Sequence, residues 1–169
     1  MNVSIRPYQP TDIAPMHEAA AESWRELEPW MPWAHDGYML AEAEAWVTLQ
    51  SKPFGEEGPF EFVIVDADGR LLGGCGVNQI DAANRRANVG YWVRSSAARR
   101  GVATAAVREL IDWAKANTDL RRLEILVAVG NVASIRVAEK IGGVREGVLR
   151  SRLLLHGEFH DVVLFSVIL

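Results

Sequence analysis

The chain has 169 residues, of which 49% are hydrophobic, and carries a formal net charge of −4 at pH 7. This length is typical of one domain with one core, so we predict a single domain over residues 1–169. The negative charge argues against a nucleic-acid partner, which would require a basic face. No run approaches the roughly 18 apolar residues of a membrane helix. Since the N-terminus also lacks a secretory pattern, we expect a cytoplasmic protein with no membrane partner.

The spacing of apolar and turn-forming residues predicts the element order β-α-α-β-β-β-α-β-α-β-β. The predicted strands and helices, in chain order, are 3–7, 10–27 (helix), 41–50 (helix), 60–65, 71–80, 87–94, 102–116 (helix), 122–129, 131–141 (helix), 144–155 and 158–169. The last two strands form a hairpin across His156 and Gly157. We therefore predict a mixed α/β fold with helices on both faces of one sheet.

The most informative stretch is residues 99–104 (RRGVAT), a short basic turn between the predicted strand at 87–94 and the helix at 102–116. A helix N-terminus presents unpaired N–H groups and the positive end of the helix dipole. Gly101 lets a ligand approach the backbone closely, and Arg99 and Arg100 add donors. The turn thus predicts a phosphate or pyrophosphate site. An ordinary connection with two solvated arginines is the alternative.

A second strand–turn–helix unit follows. The buried strand at 122–129 ends at Gly130, Asn131 is a good helix N-cap, and Gly142 and Gly143 end the helix. Ser134 shares the inward face of this helix with its apolar residues, which directs its hydroxyl toward a cleft.

The two units together resemble the GNAT superfamily of N-acetyltransferases, and in particular the ribosomal-protein N-terminal acetyltransferases of the RimJ/RimL type. The superfamily's phosphate loop reads (Gln/Arg)-x-x-Gly-x-(Gly/Ala), and residues 98–103 match its glycine and its small residue. Ala98 stands where a polar residue is usual, and Gly143 where phenylalanine is usual. The other matching segments are 27–33 (LEPWMPW), 90–93 (GYWV), 131–134 (NVAS) and 157–161 (GEFHD).

The resemblance implies a mixed, mostly antiparallel sheet that is splayed between its fourth and fifth strands, with acetyl-CoA as the cosubstrate. The pantetheine arm of the cofactor would lie between these strands, with backbone N–H groups near Val93 and Arg94 facing the thioester carbonyl. An amine then attacks the thioester directly, with no protein nucleophile. The residues expected to bind the cofactor are Val93, Arg94, Arg99, Arg100, Gly101, Val102, Ala103, Thr104 and Asn131.

Two residues are candidates for proton transfer. RimL-type enzymes resemble this chain in having a serine at the position of Ser134, which implies a general acid for the leaving thiolate; the alternative is a serine that only bonds the backbone. Glu124 stands alone among apolar residues of a strand and is the candidate base, or else an exposed strand-edge glutamate. The glutamate that RimL-type enzymes carry before the last turn is aliphatic here, at 153–155.

Aromatic residues provide a candidate acceptor wall. Trp30 and Trp33 flank prolines that stiffen their segment, and we assign them to this wall together with Tyr91. Plain core packing is the alternative for the tryptophans. His156, His160 and Asp161 surround a hairpin turn rather than sharing one helical face, so we predict no metal site.

These observations favour an acetyl-CoA-dependent N-acetyltransferase whose acceptor is the α-amine of a protein or peptide N-terminus. Two alternatives stay open: a small amine acceptor (an antibiotic, a polyamine or an amino acid), and a non-catalytic acyl-CoA-binding module. Glu124 and Ser134 favour an enzyme, because a sensor needs neither. A homodimer is also open.

Overall fold

The computed structural model describes residues 2–55 and 58–169. These residues form, in order, β1 (Val3–Pro7), α1 (Ile13–Leu27), α2 (Leu40–Gln50), β2 (Phe60–Asp66), β3 (Leu71–Asp81), β4 (Arg86–Val93), α3 (Val102–Asn117), β5 (Arg122–Ala128), α4 (Val132–Lys140), β6 (Val144–Leu155) and β7 (Glu158–Ile168). The predicted mixed α/β order is confirmed, with a 3-10 turn at Pro10–Asp12 leading into α1. Within the described residues, no helix is long and apolar enough to cross a membrane.

The seven strands form one sheet in the order β1-β2-β3-β4-β5-β7-β6. Its neighbouring strands are antiparallel except β4 and β5, which run parallel. Their pairing covers only residues 86–88 of β4 and 122–124 of β5. Beyond it both strands continue, β4 along β3 and β5 along β7, but not along each other. The predicted splay between the fourth and fifth strands is thereby confirmed.

Each face of the sheet has its own core. Helix α3 contributes Val102, Ala106, Val107 and Leu110 to one core, and α1 contributes Met16, Ala19 and Ala20 to the other. Side chains alternate along a strand. On β4, Tyr91 and Val93 therefore pack on the α3 side, while Trp92 packs on the α1 side.

A buried arginine fastens the end of β4 to α1. The Arg94 side chain is only 2% exposed. Its guanidinium donates to both Glu18 (2.6 Å) and Glu22 of α1, and to the Leu71 carbonyl at 3.2 Å. The hydrogen bond to Arg94 lowers the pKa of Glu22 to about 2. A buried guanidinium needs such partners, since its charge is costly to bury alone.

The backbone just after Arg94 is held by the same helix. The N–H of Ser95 donates to Ser23 Oγ at 2.9 Å, and the N–H of Ser96 donates to Glu22 Oε1 at 2.8 Å. The chain therefore leaves the sheet in a fixed direction, and the turn at 98–101 starts from a rigid base.

We expect Glu22→Gln to lower the free energy of unfolding by about 1.5–3 kcal/mol at pH 7, the usual contribution of a hydrogen bond to a charged group. Because the folded-state pKa of Glu22 is depressed, its contribution is present above the ordinary value near 4.5 and is lost as pH falls toward about 2. Urea unfolding of the wild type and variant should therefore converge over that range. Glu44→Gln, on an exposed carboxylate of α2, is the control; equal effects of both variants would contradict the clamp.

Candidate active site

The turn that enters α3 has the geometry of an anion site. Arg99 and Gly101 adopt left-handed backbone conformations, with φ of 60° and 81°, and such residues help to gather N–H groups into a concavity. The first helical bond runs from the Ala105 N–H to the Gly101 carbonyl. The N–H groups of residues 102–104 therefore precede the helical ladder and point outward. Arg99 and Arg100 are exposed beside them, and the buried Val102 side chain anchors the turn.

Backbone groups of β4 face the gap between the parted strands. The Arg94 N–H donates to the Leu72 carbonyl of β3 at 2.8 Å. In an antiparallel pair, bonded residues alternate with non-bonded ones, so Trp92 also bonds to β3. The N–H and C=O groups of Tyr91 and Val93 then point the other way, toward β5.

The same alternation applies to β5. The Val129 N–H donates to the Asp161 carbonyl, and the Leu169 N–H donates to the Arg121 carbonyl. Odd-numbered residues of β5 therefore bond to β7, and the backbone groups of Leu126 and Ala128 point toward β4. The Ala128 carbonyl accepts from the Asn131 N–H at 2.8 Å. The gap is thus lined from both sides by main-chain groups that an extended ligand can bind.

Arg94 requires a correction. We expected its backbone N–H to face a thioester, but that N–H is bonded to Leu72, and its side chain is bonded to α1. Of the predicted pair, Val93 is the residue whose N–H faces the gap. Arg94 instead supports the turn from behind.

Ser134 lies at the first turn of α4, where two contacts orient it. Its N–H donates to Asn131 Oδ1 at 3.1 Å, which makes Asn131 the predicted N-cap. Its Oγ lies 2.8 Å from the Tyr91 hydroxyl, and either oxygen can be the donor. The hydroxyl pair joins β4 to the helix that follows β5, so it connects the two sides of the gap. Burial raises the pKa of Tyr91, which keeps its phenol protonated at neutral pH.

The three predicted wall residues do not form one wall. The Trp33 ring packs against Trp92 at 5.3 Å between centroids and against Tyr38 at 5.9 Å, on the α1 side of the sheet. Tyr91 is on the α3 side. Trp30 covers Gly130, where a Cβ would come within 3.3 Å of its ring. Trp33 thus lies on the α1 side, Trp30 lies against the turn after β5, and Tyr91 belongs with Ser134.

Glu124 lies where β4 and β5 are still paired. Its carboxylate accepts from Arg122 at 2.8 Å and from Arg86 at 3.2 Å. Arg122 also donates to Glu146 at 2.7 and 2.6 Å. The sequence left open whether Glu124 has a partner, and the structure gives it two. Glu124 is thus part of an ion-pair group with Arg86 and Arg122.

Local packing explains why residue 143 is a glycine. A Cβ there would lie 2.7 Å from the Ala138 carbonyl oxygen and 3.4 Å from Phe165 Cβ. Phe165 of β7, which is fully buried, already packs against this position. A larger residue at 143 would require the end of α4 to shift.

Comparison with known proteins agrees with this geometry. A family model described as an acetyltransferase (GNAT) domain matches residues 2–144. The chain is 31% identical over 172 residues to "Putative ribosomal N-acetyltransferase YdaF" of Bacillus subtilis, with 99% of this chain and 91% of that protein covered. It is 25% identical to the ribosomal-protein-serine acetyltransferase of Escherichia coli, with 93% and 87% covered. Mycobacterium smegmatis RimJ in complex with CoA-disulfide superposes with a TM-score of 0.84 at 26% identity, with 97% and 80% covered.

The chain therefore belongs to the GNAT acetyltransferases and is an N-acetyltransferase. Its relatives place it in the RimJ/RimL-like branch of that family, as the sequence motifs indicate.

We expect Gly101→Ala to weaken acetyl-CoA binding by at least about tenfold, equivalent to about 1.4 kcal/mol. A side chain at φ +81° is strained, and relief of the strain would turn the N–H groups of the turn away from the anion. Gly157→Ala is the control, because Gly157 has a φ of 82° and an equally open Cβ position at a distant hairpin. Calorimetry that shows the same affinity for both variants would contradict the assignment.

Proposed function

We propose that this enzyme transfers the acetyl group of acetyl-CoA to the α-amine of a peptide or protein N-terminus, by direct attack within a ternary complex. The observation that carries the proposal is the gap between β4 and β5, lined by main-chain groups and joined at one side by the Tyr91–Ser134 hydroxyl pair. We further propose that residues 1–169 act as one domain.

The cofactor would use both parts of the site. The pyrophosphate would bind the N–H groups at the start of α3, with Arg99 and Arg100 beside it. The pantetheine arm would pair with main-chain groups of Val93 and Leu126 in the gap, much as a peptide adds a strand to a sheet edge. The relative RimJ, which is named as a complex with CoA-disulfide, supports this assignment.

The acyl transfer would need an oxyanion donor and an acid. A backbone N–H facing the gap, that of Val93, donates to the carbonyl oxygen where negative charge develops. The leaving thiolate takes a proton from Ser134, which Tyr91 supports through their 2.8 Å contact. The phenol of Tyr91 is protonated at neutral pH and can replace the proton that Ser134 gives up.

An α-amine acceptor suits this site. A free N-terminus has a pKa of about 7.7–8.0, so part of it is neutral at pH 7, whereas a lysine amine near 10.4 is almost wholly charged. The segment with Trp30 and Trp33 borders the α1 side and would contact the peptide. His156 of the β6–β7 hairpin lies 2.7 Å from the Glu28 carbonyl, which links the hairpin to the start of this segment. The names of the relatives YdaF and the E. coli ribosomal-protein-serine acetyltransferase also favour a ribosomal-protein substrate.

We expect short peptides that begin with alanine or serine to release free thiol from acetyl-CoA faster than a polyamine, an aminoglycoside or a free amino acid. A thiol-reactive dye measures the release, and mass spectrometry of the product places the acetyl group. If a polyamine is acetylated efficiently while the peptides are inert, the acceptor belongs to the small-amine class. Acetyl-CoA binding without turnover on any amine would favour a non-catalytic module.

We expect Ser134→Ala to lower kcat by roughly 10²–10⁴-fold, the usual contribution of a general acid. Acetyl-CoA affinity should stay within a few-fold, because the hydroxyl acts on the thiolate and not on binding. Tyr91→Phe should lower kcat in the same direction. Ser51→Ala is the control, since Ser51 Oγ donates to the Val47 carbonyl at the end of α2 and has no other hydrogen bond within residues 2–55 and 58–169. Full activity of Ser134→Ala would contradict the acid role.

A further inference from the structure

A row of residues leads across the sheet to the gap. Glu61 of β2 pairs with Gly76 of β3, and Gly76 pairs with Gly90 of β4. The side chain of Glu61 is on the α1 side of the sheet, because its neighbour two residues on, Val63, belongs to the α1-side core. Both glycines leave the surface of the sheet bare on this side.

The carboxylate of Glu61 lies along this row. It occupies the space above Gly76, where a Cβ would collide with Glu61 Oε2. The Asn78 amide donates to Glu61 Oε1 at 3.2 Å and is itself bonded through its oxygen to the Asn88 amide at 2.9 Å. The glutamate is thus turned toward β4 and held there by Asn78, which Asn88 holds in turn.

The space above Gly90 connects this carboxylate to the gap. A Cβ at Gly90 would meet only Asn78 Nδ2, at 3.4 Å. Neighbouring strands are about 4.8 Å apart, so a carboxylate above Gly76 lies about one strand spacing from Gly90. The gap opens on the far side of β4, up to about two strand spacings from the carboxylate, so a proton would cross this distance through water.

The charge of Glu61 is not compensated locally. In the described part of the chain, Asn78 is its hydrogen-bond partner and no cation pairs with it. Tyr8 and Cys75 lie close enough to interact electrostatically with Glu61, and burial raises the pKa of both, so they are neutral at pH 7. Burial also raises the pKa of Glu61 itself. An isolated carboxylate of this kind attracts a cation.

We propose that Glu61 binds the ammonium group of the acceptor and takes one of its protons before the amine attacks the thioester. This assignment rests on the proposed function. The neutral amine forms the C–N bond, and the C–S bond breaks as the tetrahedral intermediate collapses. The sulfur takes a proton from the Ser134–Tyr91 pair, and the second proton of the amine restores that pair. The proton on Glu61 leaves to solvent, so one proton is released in each turnover.

The two sides of the sheet then have separate tasks. Glu61 receives the amine on the α1 side, while Ser134 and Tyr91 protonate the sulfur on the α3 side. Glu124 faces the same side as Glu61, but Arg86 and Arg122 already pair with it. Of these two strand carboxylates, Glu61 is the one without a cationic partner among the described residues.

The test compares Glu61→Gln with the wild type on two peptide-like amines, one of ordinary basicity and one weakly basic. With the ordinary amine at pH 7, we expect kcat/KM to fall by roughly 10²–10⁴-fold, the range for loss of a general base. With the weakly basic amine, which is already neutral, the fall should be at least about tenfold smaller. The wild-type rise of kcat/KM with pH should also change. Glu44→Gln should match the wild type, and acetyl-CoA affinity should be unchanged in both.

A second variant leaves the carboxylate in place. Gly90→Ala puts a methyl group between Glu61 and the gap, and should lower kcat/KM while acetyl-CoA binding persists. The proposal is overturned if Glu61→Gln keeps activity within twofold, or if it loses the same factor with both amines, which would indicate a structural role. A wild type that turns over no amine would overturn the proposed function and this assignment together, whereas an active wild type with a silent Glu61→Gln overturns only this assignment.

Discussion

The separation of β4 from β5 is the constraint on which the rest of the molecule depends. Two parallel strands that part after three residue pairs leave main-chain N–H and C=O groups without a sheet partner. Such groups are costly to bury unpaired, at about 1–3 kcal/mol each. The fold tolerates the gap because each strand keeps its other neighbour, β3 for β4 and β7 for β5. The groups left over are a ready site for an extended ligand with amide groups of its own.

The surrounding elements hold this gap in a usable shape. Arg94 ties the end of β4 to α1, so the turn that follows is aimed before any ligand arrives. Asn131 caps α4 directly after β5 and thereby places Ser134 opposite Tyr91. In the proposed function, one elongated cofactor would contact the positive end of α3, the open strands and the hydroxyl pair. A rigid frame of this kind reduces the entropy lost on binding.

The sequence was sufficient for the elements and for the order of the motifs, because both are local. The apolar period of α3 and the Asn131 cap depend on residues a few positions apart, and they were predicted correctly. Contacts between residues that are distant in sequence could not be predicted from these local patterns. Arg94 and Glu22 are 72 positions apart, and nothing in the pattern around Arg94 indicates a buried guanidinium.

The side of the sheet on which a residue lies was also not predictable from the sequence. Tyr91 and Trp33 were assigned to one wall, but strand alternation places them on opposite sides, and only the packing of Trp92 shows which side is which. The same applies to the carboxylates. Glu61 and Glu124 both stand alone in apolar strands, so the sequence alone does not separate them. The arginines that pair with Glu124 come partly from a strand 38 positions away.

The most direct test of the central role of the gap is amide hydrogen exchange, followed residue by residue with NMR, with and without acetyl-CoA. The alternation of β4 predicts that the cofactor slows exchange at Tyr91 and Val93. We expect the cofactor to leave the exchange rates of Trp92 and Arg94 almost unchanged, because their N–H groups already bond to β3. On β5, Leu126 should slow while Val127 stays as it was. Equal protection of odd and even residues, or protection confined to another part of the molecule, would contradict the account.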